Sequence, residues 1–166
     1  MALTRLPKSL RNWTVYIDGY GYAGVVKEGT VPKIALKTFE YSGGGMIGTV
    51  DIQSGAIEKM EFDITLGEVN PAVLGLIGVE DTPISFRGAQ GSEYEAVIID
   101  TRSLLKEGDP GGWKTGEEAT LKLSATASYY KLSVADSSVI EIDVVNMVWK
   151  RLGVDLLATL RSALGM

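Results

Sequence analysis

The sequence predicts a mainly β domain, antiparallel and barrel- or sandwich-like, with one short internal helix and a second helix at the C-terminus. Three observations predict it. Apolar and polar residues alternate with a period of two in several segments, Gly, Pro, Asp and Ser punctuate the gaps, and only two stretches show helical spacing. The chain has 166 residues, the length of one ordinary domain, so a single domain over 1–166 is expected.

The elements follow in order. Trp13, Val15 and Ile17 alternate with Thr14, Tyr16 and Asp18, a half-buried strand closed by the turn signal Asp18-Gly19. Met46, Val50 and Ile52 alternate with Ile47, Thr49, Asp51 and Gln53; Ala56, Met60, Phe62 and Ile64 then alternate with Lys59, Glu61 and Asp63. These two runs predict a hairpin over 46–64 turned at Gln53-Ser54-Gly55, because a loop of odd length keeps both apolar faces on one side. Asn70 as N-cap, Pro71 at the first helical position and the face Val73, Leu74, Ile77 predict about two helical turns that stop at Gly78. Ile84 and Phe86, and then Tyr94, Ala96 and Ile98, mark two more strands.

A long strand follows, apolar on odd positions from Ala119 to Ala127 and on even ones at Tyr130, Leu132 and Val134. The slip at Tyr129-Tyr130 is either a β-bulge within one barrel or a strand whose halves face different partners. Ile140, Ile142 and Val144 return across a turn at Asp136-Ser137-Ser138. Asp155 is placed to cap a last helix bearing the stripe Leu156, Leu157, Leu160 and Leu164, ended by Gly165; docking on the chain's own barrel is the expected way to bury it. The Gly-rich stretches 42–45 and 108–112 are read as loops within the domain.

The composition narrows the chemistry. The chain has no Cys and no His, which removes disulfides, thiolate chemistry, the usual zinc ligands and the commonest general base. A net charge of -5 disfavours a phosphate-neutralising groove. No stretch reaches the ~18 apolar residues of a membrane span, and the start of the chain lacks the apolar run of a signal peptide, so a chain made and kept in a cytosol is expected. Arg5, Lys8 and Arg11 form a basic N-terminal arm on an acidic chain, suited to head-to-tail association or to a solvated terminus.

Gly19-Tyr20-Gly21-Tyr22-Ala23-Gly24 matches G-x-G-x-x-G after a strand. The fingerprint needs a following helix to hold a pyrophosphate, and Gly29 and Pro32 interrupt the residues that would form it. The carboxylates of Glu58, Glu61, Asp63, Glu93, Glu95, Glu141 and Asp143 fall mostly on outward positions, where nothing selects a catalytic pair. Trp113, after Gly111-Gly112, either folds back on the core or anchors in a partner's pocket. A monomeric small-ligand β-barrel and a carboxylate hydrolase stay open on pattern alone.

The order of several motifs resembles one family. Ile17-Asp18-Gly19, Val31-Pro32-Lys33-Ile34-Ala35-Leu36-Lys37-Thr38 and Gly44-Gly45-Met46 stand near the start. Later come the run Leu104-Leu105-Lys106-Glu107-Gly108-Asp109-Pro110-Gly111-Gly112-Trp113-Lys114, then Ser128-Tyr129-Tyr130-Lys131-Leu132, Glu141-Ile142-Asp143 and Gly153-Val154-Asp155. Together they resemble the major tail tube protein of contractile-tailed phages and R-type pyocin-like tailocins.

The resemblance implies a barrel-like subunit with a flanking helix, similar in fold to the type VI secretion tube protein. It implies a structural role with no catalysis and no cofactor: six-membered rings stacking into a hollow tube that conducts DNA or pierces an envelope. The implied partners are further copies of the chain, the tail sheath, tape-measure, baseplate and tail terminator proteins, with DNA passing unbound. The implied location is a virion tail or tailocin particle, assembled in the bacterial host cytoplasm. Under that reading Ser42, Gly43, Gly44, Gly45, Met46, Trp113, Tyr129 and Tyr130 are expected at subunit interfaces, with 42–45 as a hinge for the 46–64 hairpin. Thr49, Asp51, Gln53, Lys59, Glu61 and Asp63 are expected on that hairpin's polar or lumen face.

Overall fold

The computed structural model describes residues 6–166; Arg5 of the basic arm lies outside them. Lys8 of that arm forms an ion pair with Glu95, and Gly91 N–H bonds the Ser9 carbonyl. β1 (Leu10–Ile17) turns at Asp18-Gly19 into β2 (Tyr20–Gly21), with both turn residues at positive φ. This is the backbone of a two-residue hairpin. The glycine run then leads into a strand, β3 (Val26–Thr30), where a dinucleotide fingerprint would require a helix. β4 (Leu36–Tyr41) and β5 (Val50–Ile57) pair with each other, and β6 (Met60–Leu66) returns to the main sheet.

Helix α1 (Pro71–Leu74) starts as expected: the Asn70 side-chain oxygen accepts from the Ala72 amide at 2.9 Å. It is shorter than two full turns because the chain then tightens, with Leu76, Ile77 and Val79 amides each bonding the carbonyl three residues back. Val73 is fully buried, and Gly78 N–H donates to the Leu105 carbonyl at 2.9 Å.

β7 (Thr82–Gln90), β8 (Glu95–Asp109), β9 (Leu121–Val134), β10 (Ser137–Asp143), β11 (Val148–Arg151) and β12 (Val154–Asp155) complete the strands, before α2 (Ala158–Ala163). All pairings are antiparallel, in the order β12-β11-β10-β9-β8-β7-β1-β2. β6 adds to the first half of β9 and carries β3 on its far edge. The sheet curls around one core containing Val15, Ile17, Met60, Phe62, Ile64, Leu66, Ile84, Phe86, Leu105, Leu121 and Leu123. Phe62 meets Phe86 edge-on at 5.5 Å. Trp13 reaches from β1 to β3, where a Cβ on Gly29 would stand 3.0 Å from its ring, so side-chain packing closes the seam.

The parity slip in β9 is a bulge within one strand: Arg102 pairs Tyr129 while Ser103 pairs Ala127, leaving Ser128 as the extra residue. The β9–β10 turn is tighter than expected, with Ala135 and Asp136 both at positive φ and Val134 opposite Ser137. β8 differs from expectation in two ways. It runs through Gly108 to Asp109, so the stretch read as a loop begins two residues later, at Pro110. Its core face is Ile99, Thr101, Ser103 and Leu105, while Ala96 and Ile98 face outward. Two buried hydroxyls hide the apolar period: Thr101 Oγ1 donates to the Ile84 carbonyl at 2.9 Å and lies 2.9 Å from Ser103 Oγ.

Candidate assembly surface

β4 and β5 stand apart from the main sheet as a two-stranded arm. Every residue of the two strands is exposed except Ile57. Register partners share a face of a sheet. Phe39 lies opposite Ile52 and Tyr41 opposite Val50, giving an apolar face; Thr38 with Gln53 and Glu40 with Asp51 give a polar one. Phe39 is 51% exposed. An isolated pair of strands is marginal in water, and two carboxylates directly opposite weaken it further. This arm therefore gains little from the subunit that bears it.

The arm replaces the hairpin expected over 46–64. Gly55, at φ +83, sits in a bulge inside β5, where the register shifts between Leu36 and Thr38 and Ser54 Oγ donates to the Lys37 carbonyl at 2.9 Å. The expected loop is thus part of a strand, and β5 takes its partner from the N-terminal side. Ser42, Gly43, Gly44, Gly45 and Met46 form the arm's tip, where Met46 N–H bonds the Gly43 carbonyl at 3.2 Å. They cannot act as a hinge at its root, which lies at Leu36 and Ile57.

The expected polar face divides accordingly. Asp51 and Gln53 lie on β5 and Thr49 just before it; Lys59 is in the link to β6, and Glu61 and Asp63 are on the outer face of β6 in the main sheet. Lys106 Nζ donates to Glu61 at 2.8 Å, a hydrogen bond that holds the Glu61 carboxyl below its usual range. Ser124 Oγ donates to Asp63 at 2.7 Å.

A cleft of 540 Å³ opens at the arm's root, lined in part by Ile57, Met60, Leu104, Val144 and Val145. Val144, expected inside, lies beyond the end of β10 and is exposed. α2 is the second unpartnered apolar element. Of the expected stripe Leu157 is half-buried, but Leu156, Leu160 and Leu164 are exposed and no residue of the helix is buried, so most of the stripe is not docked on the subunit's own barrel. Asp155 lies in β12 and not at the cap of α2. Its Oδ1 accepts from the Leu157 amide at 3.0 Å and its Oδ2 from Arg161 at 2.5 Å, while Arg161 also donates to the Met147 carbonyl at 2.8 Å. The Arg161 hydrogen bond depresses the Asp155 pKa.

Of the two tyrosines, Tyr130 is buried in the core, away from any surface. Tyr129 is half-buried on the outer face and donates to Glu141 at 3.0 Å; burial, followed by that carboxylate's hydrogen bond and charge, pushes its pKa up to about 12. Trp113 is 76% exposed on the loop after β8.

Sequence reading missed a row on the outer face. Ser85, Asp100, Lys131, Glu141, Lys150 and Asp155 are successive register partners from β7 to β12. Charges alternate along it, and no single strand carries a trace of the pattern.

A family profile described as phage tail tube protein FII matches residues 7–165. The chain belongs to the phage tail tube protein family. The tail tube protein of Escherichia phage P2 is 32% identical, over 97% of this chain and 99% of its own. The major tail tube protein of Serratia phage KSP20 is 33% identical, over 97% and 98%. The tube-terminating cap of an anti-feeding prophage shares the fold of this tail tube chain with a TM-score of 0.62 at 12% identity, over 81% of this chain and 96% of that one. A chain from the extended sheath–tube complex of the extracellular contractile injection system PVC gives 0.60 at 11%, over 77% and 92%. The family is one of structural tail components, and the mainly antiparallel β fold agrees with that of these neighbours.

Proposed function

We propose that this tail tube chain, as one domain, closes into six-membered rings that stack into the hollow inner tube of a contractile tail. The observation that carries this is the arm. Its apolar face, Phe39, Tyr41, Val50 and Ile52, is left exposed by the described residues of the subunit, and a neighbouring copy in a ring offers a repeating surface to cover it. The exposed leucines of α2 and the cleft at the arm's root add further surface of the same kind. Ring closure also covers the free strand edges at β2, β3 and β12.

The finished tube conducts DNA or pierces an envelope. An acidic chain of net charge -5, with 21 Asp and Glu against 16 Lys and Arg, lets a polyanion slide past, since the excess of like charge opposes the counterion release that binding needs. Asp51 and Gln53 on the arm's polar face, with Thr49 just before β5, turn toward the lumen. The sheath protein packs outside, the tape-measure protein lies inside during assembly, a baseplate nucleates the first ring and a terminator caps the last, all in the host cytoplasm.

The arm is tested by a Phe39→Ser, Ile52→Ser double variant. Both positions are exposed, so thermal stability should stay within about 0.5 kcal/mol per site of the parent. Polymer recovered by ultracentrifugation should fall about tenfold or more. Tubes of undiminished yield would contradict an interface built on the arm.

A further inference from the structure

The arm carries a socket at its root and a knob at its tip. The socket is the cleft of 540 Å³, within the roughly 300–1,000 Å³ of sites that hold an organic group, and its wall is mainly apolar. Thr126 stands in the lining, and its Oγ1 is buried with no hydrogen-bond partner among the described residues. A buried hydroxyl left unpaired costs free energy that an incoming backbone amide or carbonyl would recover. The rim has an acidic balance, with Glu58, Glu80 and Asp81 against Lys37 and Lys59.

The knob is Ile47. At 110% relative exposure it is the most open large apolar side chain among the described residues. Met46 folds back beside it, its N–H on the Gly43 carbonyl and its Sδ accepting from the Gly43 N–H, each at 3.2 Å. Gly44 and Gly48 flank this turn. Neither has a positive φ, and a Cβ on either would meet no atom within 4 Å, so the fold of the subunit does not require glycine at these positions. Glycine costs conformational entropy, and close approach of another backbone is a reason to keep it. Charge points the same way. The Trp113 loop, with Asp109, Glu117 and Glu118 against Lys114, would meet like charge at the acidic rim, whereas the arm's tip, 42–49, is uncharged.

We infer that Ile47 of one copy seats in the arm-root cleft of the neighbouring copy, with Gly44 and Gly48 letting the two backbones close and the tip's main chain bonding Thr126. A subunit's tip does not reach its own cleft. Lys37 and Ile57 line the cleft at one end of the ribbon, Tyr41 pairs Val50 at the other, and the ribbon pairs with no other strand among the described residues. The strand between the two ends spans roughly 13–17 Å, with the tip beyond it. Knob and socket at opposite ends of one ribbon make a heterologous contact, the kind that repeats from copy to copy. This rests on the tube reading and names the contact that locks each arm to its neighbour.

The chain has no cysteine, so single-cysteine variants report contacts between copies without ambiguity. Met46→Cys and Val145→Cys chains, mixed, assembled and treated with oxidised glutathione, should give a mixed disulfide dimer, read by mass spectrometry, about tenfold above a Glu93→Cys with Val145→Cys control, since bridging needs Cα atoms within about 7 Å. Adding Ile47→Ser to the Met46→Cys chain should return the yield to the control level. Gly44→Ala with Gly48→Ala should cut pelleted polymer about tenfold while the melting temperature of the free subunit stays level or rises. Normal tubes with no such dimer above control would overturn the Ile47 contact. So would a Leu160→Cys chain that bridges Val145→Cys where Met46→Cys does not, since α2 would then fill the cleft. Either result leaves the tube reading standing. A parent chain that forms no tubes, even seeded with baseplates, would overturn the contact and the tube reading together.

Discussion

Gly108 sits in β8 beneath α1, and a Cβ there would stand 2.6 Å from Ile77 Cδ1 and 3.1 Å from Leu74 Cδ2. The missing side chain is what lets the α1 segment close this end of the barrel. Gly108→Ala should lower unfolding free energy by about 1–3 kcal/mol, the range for overpacking, in chemical denaturation. In the sequence this glycine looks like the start of a loop, because Gly-Asp-Pro-Gly-Gly is strong turn chemistry and the hydroxyls of Thr101 and Ser103 interrupt the strand period just before it. Tyr129 makes a second residue-scale prediction. Its phenol keeps its proton to about pH 12 in the folded chain, whereas an unfolded tyrosine releases it near pH 10. The folded state therefore binds the extra proton between those values, and stability falls as pH rises from about 10 to 12. Tyr129→Phe should cost about 0.5–1.5 kcal/mol at neutral pH and flatten part of that alkaline loss in thermal melts.

Elements differ in how legible they were. β1, β6, β7 and β10 show their alternation because one face of each is buried by this subunit's own core. The arm has no such face, and alternation alone does not say which neighbour a strand takes, so the sequence suggests a β5–β6 hairpin through Gly55 although the partner of β5 is β4. The charged row is invisible for the same reason, since it exists only across register pairs. α2 is legible as a helix, but it starts later than the sequence suggests, because Asp155 stays in β12 and its side chain accepts from the amide of Leu157, the residue that itself begins the helix. The Asp155–Arg161 pair holds α2 to the β11 side of the molecule. Arg161 depresses the Asp155 pKa, so the clamp is complete at neutral pH and is lost as pH falls through a value below the usual carboxylate range near 4. Asp155→Asn should speed tryptic cleavage at Arg161 roughly threefold by loosening the helix, with the main melting transition unmoved.

At the scale of the whole molecule, a well-packed core coexists with exposed apolar surface gathered on the arm, α2 and the Trp113 loop. Monomeric proteins rarely leave such patches open, and a tail tube family member has copies of itself to cover them. The Leu104-to-Lys114 and Ser128-to-Leu132 runs carry the family resemblance in the sequence itself, whereas the surfaces that would join subunits exist only in the pairing of strands. The most direct test is negative-stain electron microscopy of the purified chain across a range of concentrations, alone and seeded with baseplates. Rings and long hollow tubes of uniform width are expected; compact monomers under every condition would contradict assembly into a tube.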